Sequence, residues 1–158
     1  MGVGGILIAA FAGAVDSPGL RISGMTFVGS RGDQSELVVR ADTAYFQPDS
    51  DLADLQVVRA EFSDEKKGES FRLKCDRAEL DVETNNFIAT GNVTGLTGDG
   101  QRYSAPWVRY RHEDSLLETD SPVTVTQDGR TLRGDGFRYH IEEQRFELLG
   151  NVVMEPEH

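Results

Sequence analysis

From Ser35 onward, apolar and polar residues alternate with a period of two, as in Leu37, Val39 and Ala41 and again in Phe71, Leu73 and Cys75. That is the mark of strands with one buried face. Polar clusters rich in Asp, Asn, Gly and Glu separate the runs at residues 47–51, 64–68, 83–86, 97–100, 112–115, 127–129 and 142–144. This close and regular punctuation suits β-hairpins, and no stretch beyond residue 20 sustains a helical period. The chain is predicted to be all-β.

Stacking the segments SELVVRADTAYF (35–46), ESFRLKCDRAEL (69–80), GQRYSAPWVRYR (100–111) and RTLRGDGFRYHI (130–141) reveals a repeat. Each carries a small residue followed three places later by a second inward candidate: Ala41 and Ala44, Cys75 and Ala78, Ala105 and Val108, Gly134 and Phe137. The small residues recur after 34, 30 and 29 positions, which describes four units of about 30 residues. A flat strand separates inward positions by two, so a step of three requires a bulge or corner in every unit. Pro106 falls inside the third step, where a ladder N–H is expendable. Stacked bent hairpins predict an antiparallel sheet that folds over on itself, a half-open jelly roll.

The inward candidates include Val39, Ala41, Ala44, Phe46, Val57, Phe71, Leu73, Ala78, Leu80, Tyr103, Val108, Tyr110, Val123, Phe137, Tyr139, Phe146, Leu148, Val152 and Met154. Many are small or mid-sized. Such a lining suits either an apolar trough or a filled core, and composition does not separate the two. An open roll also leaves unpaired edges, which are templates for strand addition by a partner or a second copy.

Residues 1–15 (MGVGGILIAAFAGAV) are uninterruptedly apolar. As a helix they would reach roughly 22 Å, short of a ~30 Å hydrocarbon core. No Lys or Arg precedes them, as a secretory signal would require. Two readings stand: a buried N-terminal segment, or a helical membrane anchor or its remnant that would hold the following chain beyond the membrane. The chain thus divides into an apolar segment and linker (1–19) and a β-roll domain (20–158).

Hydrophobic residues are 38% of the chain and charged residues 27%, enough for a core. The net charge of −11 argues against nucleic acid as a partner, since phosphate binding needs a basic surface. The single cysteine, Cys75, forms no internal disulfide and reads as a small core residue. His112, His140 and His158 stand apart from one another and from any ligand spacing, so no metal or cofactor is expected. No nucleophile motif surrounds a serine, and the acid pairs sit in polar turns; the protein reads as a non-enzyme. Two Arg-Gly-Asp tripeptides, at 31–33 and 133–135, are explained by tight-turn chemistry.

The order of several motifs is similar to that of the LptC family. They are Gly24-Met25-Thr26-Phe27, Leu37-x-x-x-Ala41-x-x-Ala44-x-Phe46, Leu73-x-x-x-Arg77-Ala78, Ala89-Thr90-Gly91-Asn92-Val93, Thr119-Asp120-Ser121-Pro122-Val123-Thr124-Val125, Leu132-x-Gly134-x-Gly136-Phe137 and Leu148-x-Gly150-Asn151-Val152. The resemblance covers about residues 22–154. It implies a partly open β-roll in the periplasm, held at the bacterial inner membrane by an N-terminal segment. Such a protein accepts lipopolysaccharide from an inner-membrane ABC transporter and passes it to an LptA-like periplasmic bridge protein. By the same analogy, the edge near Met25 and Phe27 meets the transporter and the edge near Val152 and Met154 meets the bridge. Arg72, Lys74, Arg77, Arg109 and Arg111 read either as solvated strand faces or as phosphate partners. A structural or adhesive repeat with a filled core is the competing reading; a carbohydrate-active solenoid has only Trp107 as a tryptophan platform.

Overall fold

Among the described residues, the alternating pattern is realised as thirteen antiparallel strands in one open sheet: β1 (Gly5–Phe11), β2 (Leu20–Arg31), β3 (Ser35–Phe46), β4 (Leu52–Asp64), β5 (Ser70–Asp81), β6 (Phe87–Leu96), β7 (Arg102–Arg111), β8 (Leu116–Thr119), β9 (Val123–Gln127), β10 (Arg130–Gly134), β11 (Gly136–His140), β12 (Arg145–Leu149) and β13 (Val153–Glu155). These come from a computed structural model, which describes residues 5–11, 19–31, 35–64 and 70–155. Strands β1 to β8 pair in chain order and continue through β11 to β12, while β9 branches from β7 and carries β10 and then β13. The jelly-roll expectation is met.

The corner predicted in each unit is visible in the register. Ser23 pairs Thr43 and Met25 pairs Ala41, skipping Gly24 and Asp42. The next interfaces skip Val57 and Asp76, and the slip between Thr90 and Val93 leaves out Pro106 opposite. Beyond β7 the corner breaks the strands outright, dividing β8 from β9 and β10 from β11. Two corners share one device. Asn92 Nδ2 donates to Asp76 Oδ2 and Asn151 Nδ2 to Asp135 Oδ2, both at 2.9 Å. The preceding Gly91 and Gly150 lie at φ of 83° and 72°, and a Cβ on either would sit 2.9 Å from the same aspartate. The Gly-Asn-Val triplets therefore arise because this corner needs a left-handed glycine and an amide that reaches back across the strand pair.

Val57, expected inward, points outward and is 49% exposed. It is the bulged residue of β4, at φ 57°, a region that a β-branched side chain rarely occupies. The step of three in β4 runs instead from Leu55 to Val58, both buried. Val57→Asn relieves the strain because asparagine tolerates left-handed backbone. It is expected to stabilise the roll by about 1 kcal/mol, raising the melting midpoint by roughly 2–4 °C in a calorimetric scan; a lowered midpoint would contradict it.

The helical N-terminal anchor is corrected for residues 5–11. They form strand β1, paired with β2 from Gly5↔Gly29 to Phe11↔Ile22. Residues 5–11 complete the hydrogen-bond ladder on the side of β2 that would otherwise be an unpaired edge. Among the described residues, no helix is long and apolar enough to cross a membrane. Residues 1–4, 12–18, 32–34, 65–69 and 156–158 lie outside the described residues, and with them the rest of the anchor segment, part of the first Arg-Gly-Asp tripeptide, most of the turn at 64–68, and His158.

Candidate functional site: the aromatic interior and the sheet edges

Because every strand alternates around a shared corner, the inward side chains of both walls meet in one core. Val39, Ala41, Ala44, Phe71, Leu73, Ala78, Leu80, Tyr103, Val108, Tyr110, Val123, Phe137 and Tyr139 are all buried there, while Phe46, Phe146 and Leu148 are half-buried against it. An aromatic chain runs through the middle. Phe87 and Phe62 flank Tyr110, with centroids at 5.1 and 4.9 Å, and Phe62 meets Phe71 at 6.0 Å. Phe71 meets Tyr139 at 5.1 Å and Tyr103 at 5.9 Å. Tyr103 stacks on Phe146 at 4.5 Å and 15°. Such tilted and offset pairs contribute beyond the area they bury.

Sequence reasoning misses Phe62, although it links the two ends of this chain, and it misses Ala53, Leu55 and Ala60 as well. Placing Val57 inward would put Arg59 and Glu61 inside by alternation, and the polarity of those two residues is the signal that a bulge intervenes.

Around Tyr103 the interior is packed. The gap lined by Phe71, Leu73, Val93, Tyr103, Val108, Leu117, Val123 and Phe137 has a volume of about 10 Å³, the room of a single water. At these residues the trough expected from the small side chains is filled, because aromatic rings from facing walls occupy the space the alanines leave.

Several polar groups of the interior are paired, whereas the buried Asn85 Oδ1 has no hydrogen-bond partner among the described residues. Tyr103 Oη donates to Gln101 Oε1 at 2.6 Å, and Gln101 Nε2 donates to Gln127 Oε1 at 2.9 Å. Burial, reinforced by Tyr139 and Asp99, pushes the Tyr103 phenol well above its ordinary range, so it stays a protonated donor. His112 Nε2 lies 3.0 Å from the Ser30 carbonyl, which only accepts, so Nε2–H donates. His112 Nδ1 shares a 2.8 Å hydrogen bond with Tyr110 Oη. Cys75 is 7% exposed; burial pushes its thiol up to about 11, and Sγ–H donates to the Arg77 carbonyl at 3.2 Å. It is a packed thiol with no raised reactivity.

Three strands have one partner each among the described residues: β1, β12 and β13. Val152 and Met154, expected both to face inward and to stand at an edge, are 47% and 59% exposed; the inward expectation is corrected, because Met154 lies on the edge strand β13 and Val152 just before it, with no further strand to cover them among the described residues. Met25 and Phe27, expected at the opposite edge, are corrected: both are 1% exposed, and β2 is paired on its two sides by β1 and β3. The alternation that buries Ile22 also turns Met25 and Phe27 inward after the Gly24 bulge, and β1 supplies the terminal edge in place of β2. Arg72, Lys74, Arg77, Arg109 and Arg111 all stand on the outer face, away from the apolar interior.

No group of three or more His, Cys, Asp or Glu among the described residues is arranged to hold a metal. A search of curated proteins returned no match. The family model described as "Lipopolysaccharide-assembly, LptC-related" matches residues 26–155, from β2 through β13 and across all four bent units. The chain therefore belongs to the LptC-related family and is a β-jelly-roll component of lipopolysaccharide transport.

Proposed function

We propose that this roll is a transit module that takes lipopolysaccharide from an inner-membrane ABC transporter and passes it to a periplasmic bridge protein, without catalysis. The observation that carries the reading is the placement of β12. This strand is an open edge, and its Phe146 and Leu148 lie half-buried over the aromatic interior. Displacing β12 would uncover Tyr103, Phe137 and Tyr139, the rings that Phe146 touches. Acyl chains entering there would replace aromatic contacts with their own burial, at about 0.8 kcal/mol per CH₂. Because the interior around Tyr103 is filled, lipid entry is coupled to this opening. The exposed β13 edge with Val152 and Met154 offers backbone pairing to the bridge protein or to a second copy.

A purely structural repeat, acting through its edges alone, is favoured by the small volume of the interior gap. Photocrosslinking separates the two. Benzophenone side chains at Phe71, Tyr103 or Phe137 in the full chain are expected to capture lipopolysaccharide, whereas one at outward-facing Thr43 is not. Equal labelling at inner and outer positions, or none inside, would leave the edge-only reading standing.

A further inference from the structure

Two neighbouring cross-strand rows on the outer face of the roll hold more cations than carboxylates, although the whole protein is acidic. On the far side of the corner from Tyr45 and Trp107, cross-strand pairing aligns Arg40, Arg59 and Lys74 directly opposite one another on β3, β4 and β5. The same row continues through Thr94, Ser104 and Thr124 to Arg133 on β10. The adjoining row adds Arg72 and Arg102, with Glu61 and Glu155 as its acids. Six cations thus share these two rows with two carboxylates, and Asp42, Asp76 and Asp135 stand exposed at the corner beside them, in a chain whose net charge is −11. Arg59 reaches Asp42 at the corner, Arg72 reaches Glu61 and Arg133 reaches Glu155. Arg40, Lys74 and Arg102 have no ion pair among the described residues. Like charges directly opposite on neighbouring strands destabilise a sheet, so this alignment is kept against its own folding cost.

We propose that this face docks on the anionic surface of a lipid bilayer. The cations run from β3 to β10 across six strand spacings, roughly 29 Å along the sheet, far wider than one small anion. Between them a hollow of about 330 Å³ is lined by Arg72, Lys74, Arg102 and threonine and serine hydroxyls, donors suited to a lipid phosphate, and on its apolar part by Leu96 and Tyr103. Aromatic side chains are among the commonest central anchors of protein–protein interfaces. No aromatic side chain stands exposed in these two rows. A diffuse field of cations near an anionic leaflet needs no such anchor.

Vesicle flotation of the full chain tests this. Neutral phosphatidylcholine vesicles report any insertion of the apolar N-terminus; mixed vesicles of phosphatidylcholine and phosphatidylglycerol report that plus charge. The wild type is expected to bind the anionic vesicles in excess over the neutral ones, with the excess lost at high salt. At about fivefold per neutralised cation, the variant Arg40→Gln/Lys74→Gln/Arg102→Gln is expected to lose about 100-fold of that excess. The charge-matched variant Arg21→Gln/Arg138→Gln/Arg145→Gln, elsewhere on the surface, is expected to lose less than fivefold. Circular dichroism confirms that both fold. Equal losses in the two variants, or no excess for the wild type, overturn the proposal; binding to soluble polyglutamate but not to vesicles overturns it in favour of an acidic protein.

Discussion

Tyr103→Ala will destabilise the roll by about 3–5 kcal/mol, lowering the melting midpoint by roughly 10 °C. Tyr103 touches Phe71, Phe137, Tyr139 and Phe146, so its ring joins both walls to the terminal hairpin. Removing it forfeits the burial of a whole ring and leaves a cavity that rigid neighbouring rings fill poorly. It also strands Gln101, whose Oε1 accepts from the phenol. Tyr103→Phe keeps the ring and loses only that bond, at a cost of about 1 kcal/mol. Urea unfolding of the three proteins measures both. A loss for the alanine variant no larger than the ~1 kcal/mol expected of the phenylalanine variant would mean that the interior collapses readily onto an empty site, which is the softness a lipid-admitting roll requires. The larger loss means that opening must come from β12 moving as a unit. The alanine cavity is apolar and is expected to take up small hydrophobic ligands that the wild type excludes.

Gly136→Ala will cost about 3 kcal/mol, with no change in charge or polarity. The added Cβ would sit 2.6 Å from the Thr119 carbonyl oxygen and 3.3 Å from Asp120 Cα. Both are backbone, so no rotamer relieves the contact; β8 and β11 must separate where Phe137 pairs with Thr119. Gly24→Ala isolates the other way a glycine matters. A Cβ added there would meet nothing within 4 Å, but the residue lies at φ 73°. That substitution suffers only the left-handed penalty of about 1 kcal/mol. Similar losses in the two variants, measured by denaturant midpoints at unchanged slope, would refute the steric account.

The positions legible beforehand are those where alternation and the step of three act together. Ala41 and Ala44, Cys75 and Ala78, and Gly134 and Phe137 are all buried pairs flanking a corner. The part of the core that β4 contributes after its bulge, Val58, Ala60 and Phe62, escapes sequence reasoning, because the bulge at Val57 exchanges inside for outside from that residue on. Edge positions divide the same way. Met154 lies on an exposed edge strand and Val152 just before it, whereas Met25 and Phe27 do not, because the strand that covers β2 comes from an apolar segment expected to be a helical anchor.

Period-two patterning, turn chemistry and the recurring small residue by themselves determined an all-β chain of four bent units, since side-chain direction in a strand depends only on local spacing. Only the tertiary structure decided whether the interior is a trough or a packed core, which strands are left as edges, and where outward cations line up. Those properties depend on which residues stand opposite one another across strands far apart in the chain, and no local pattern encodes that pairing.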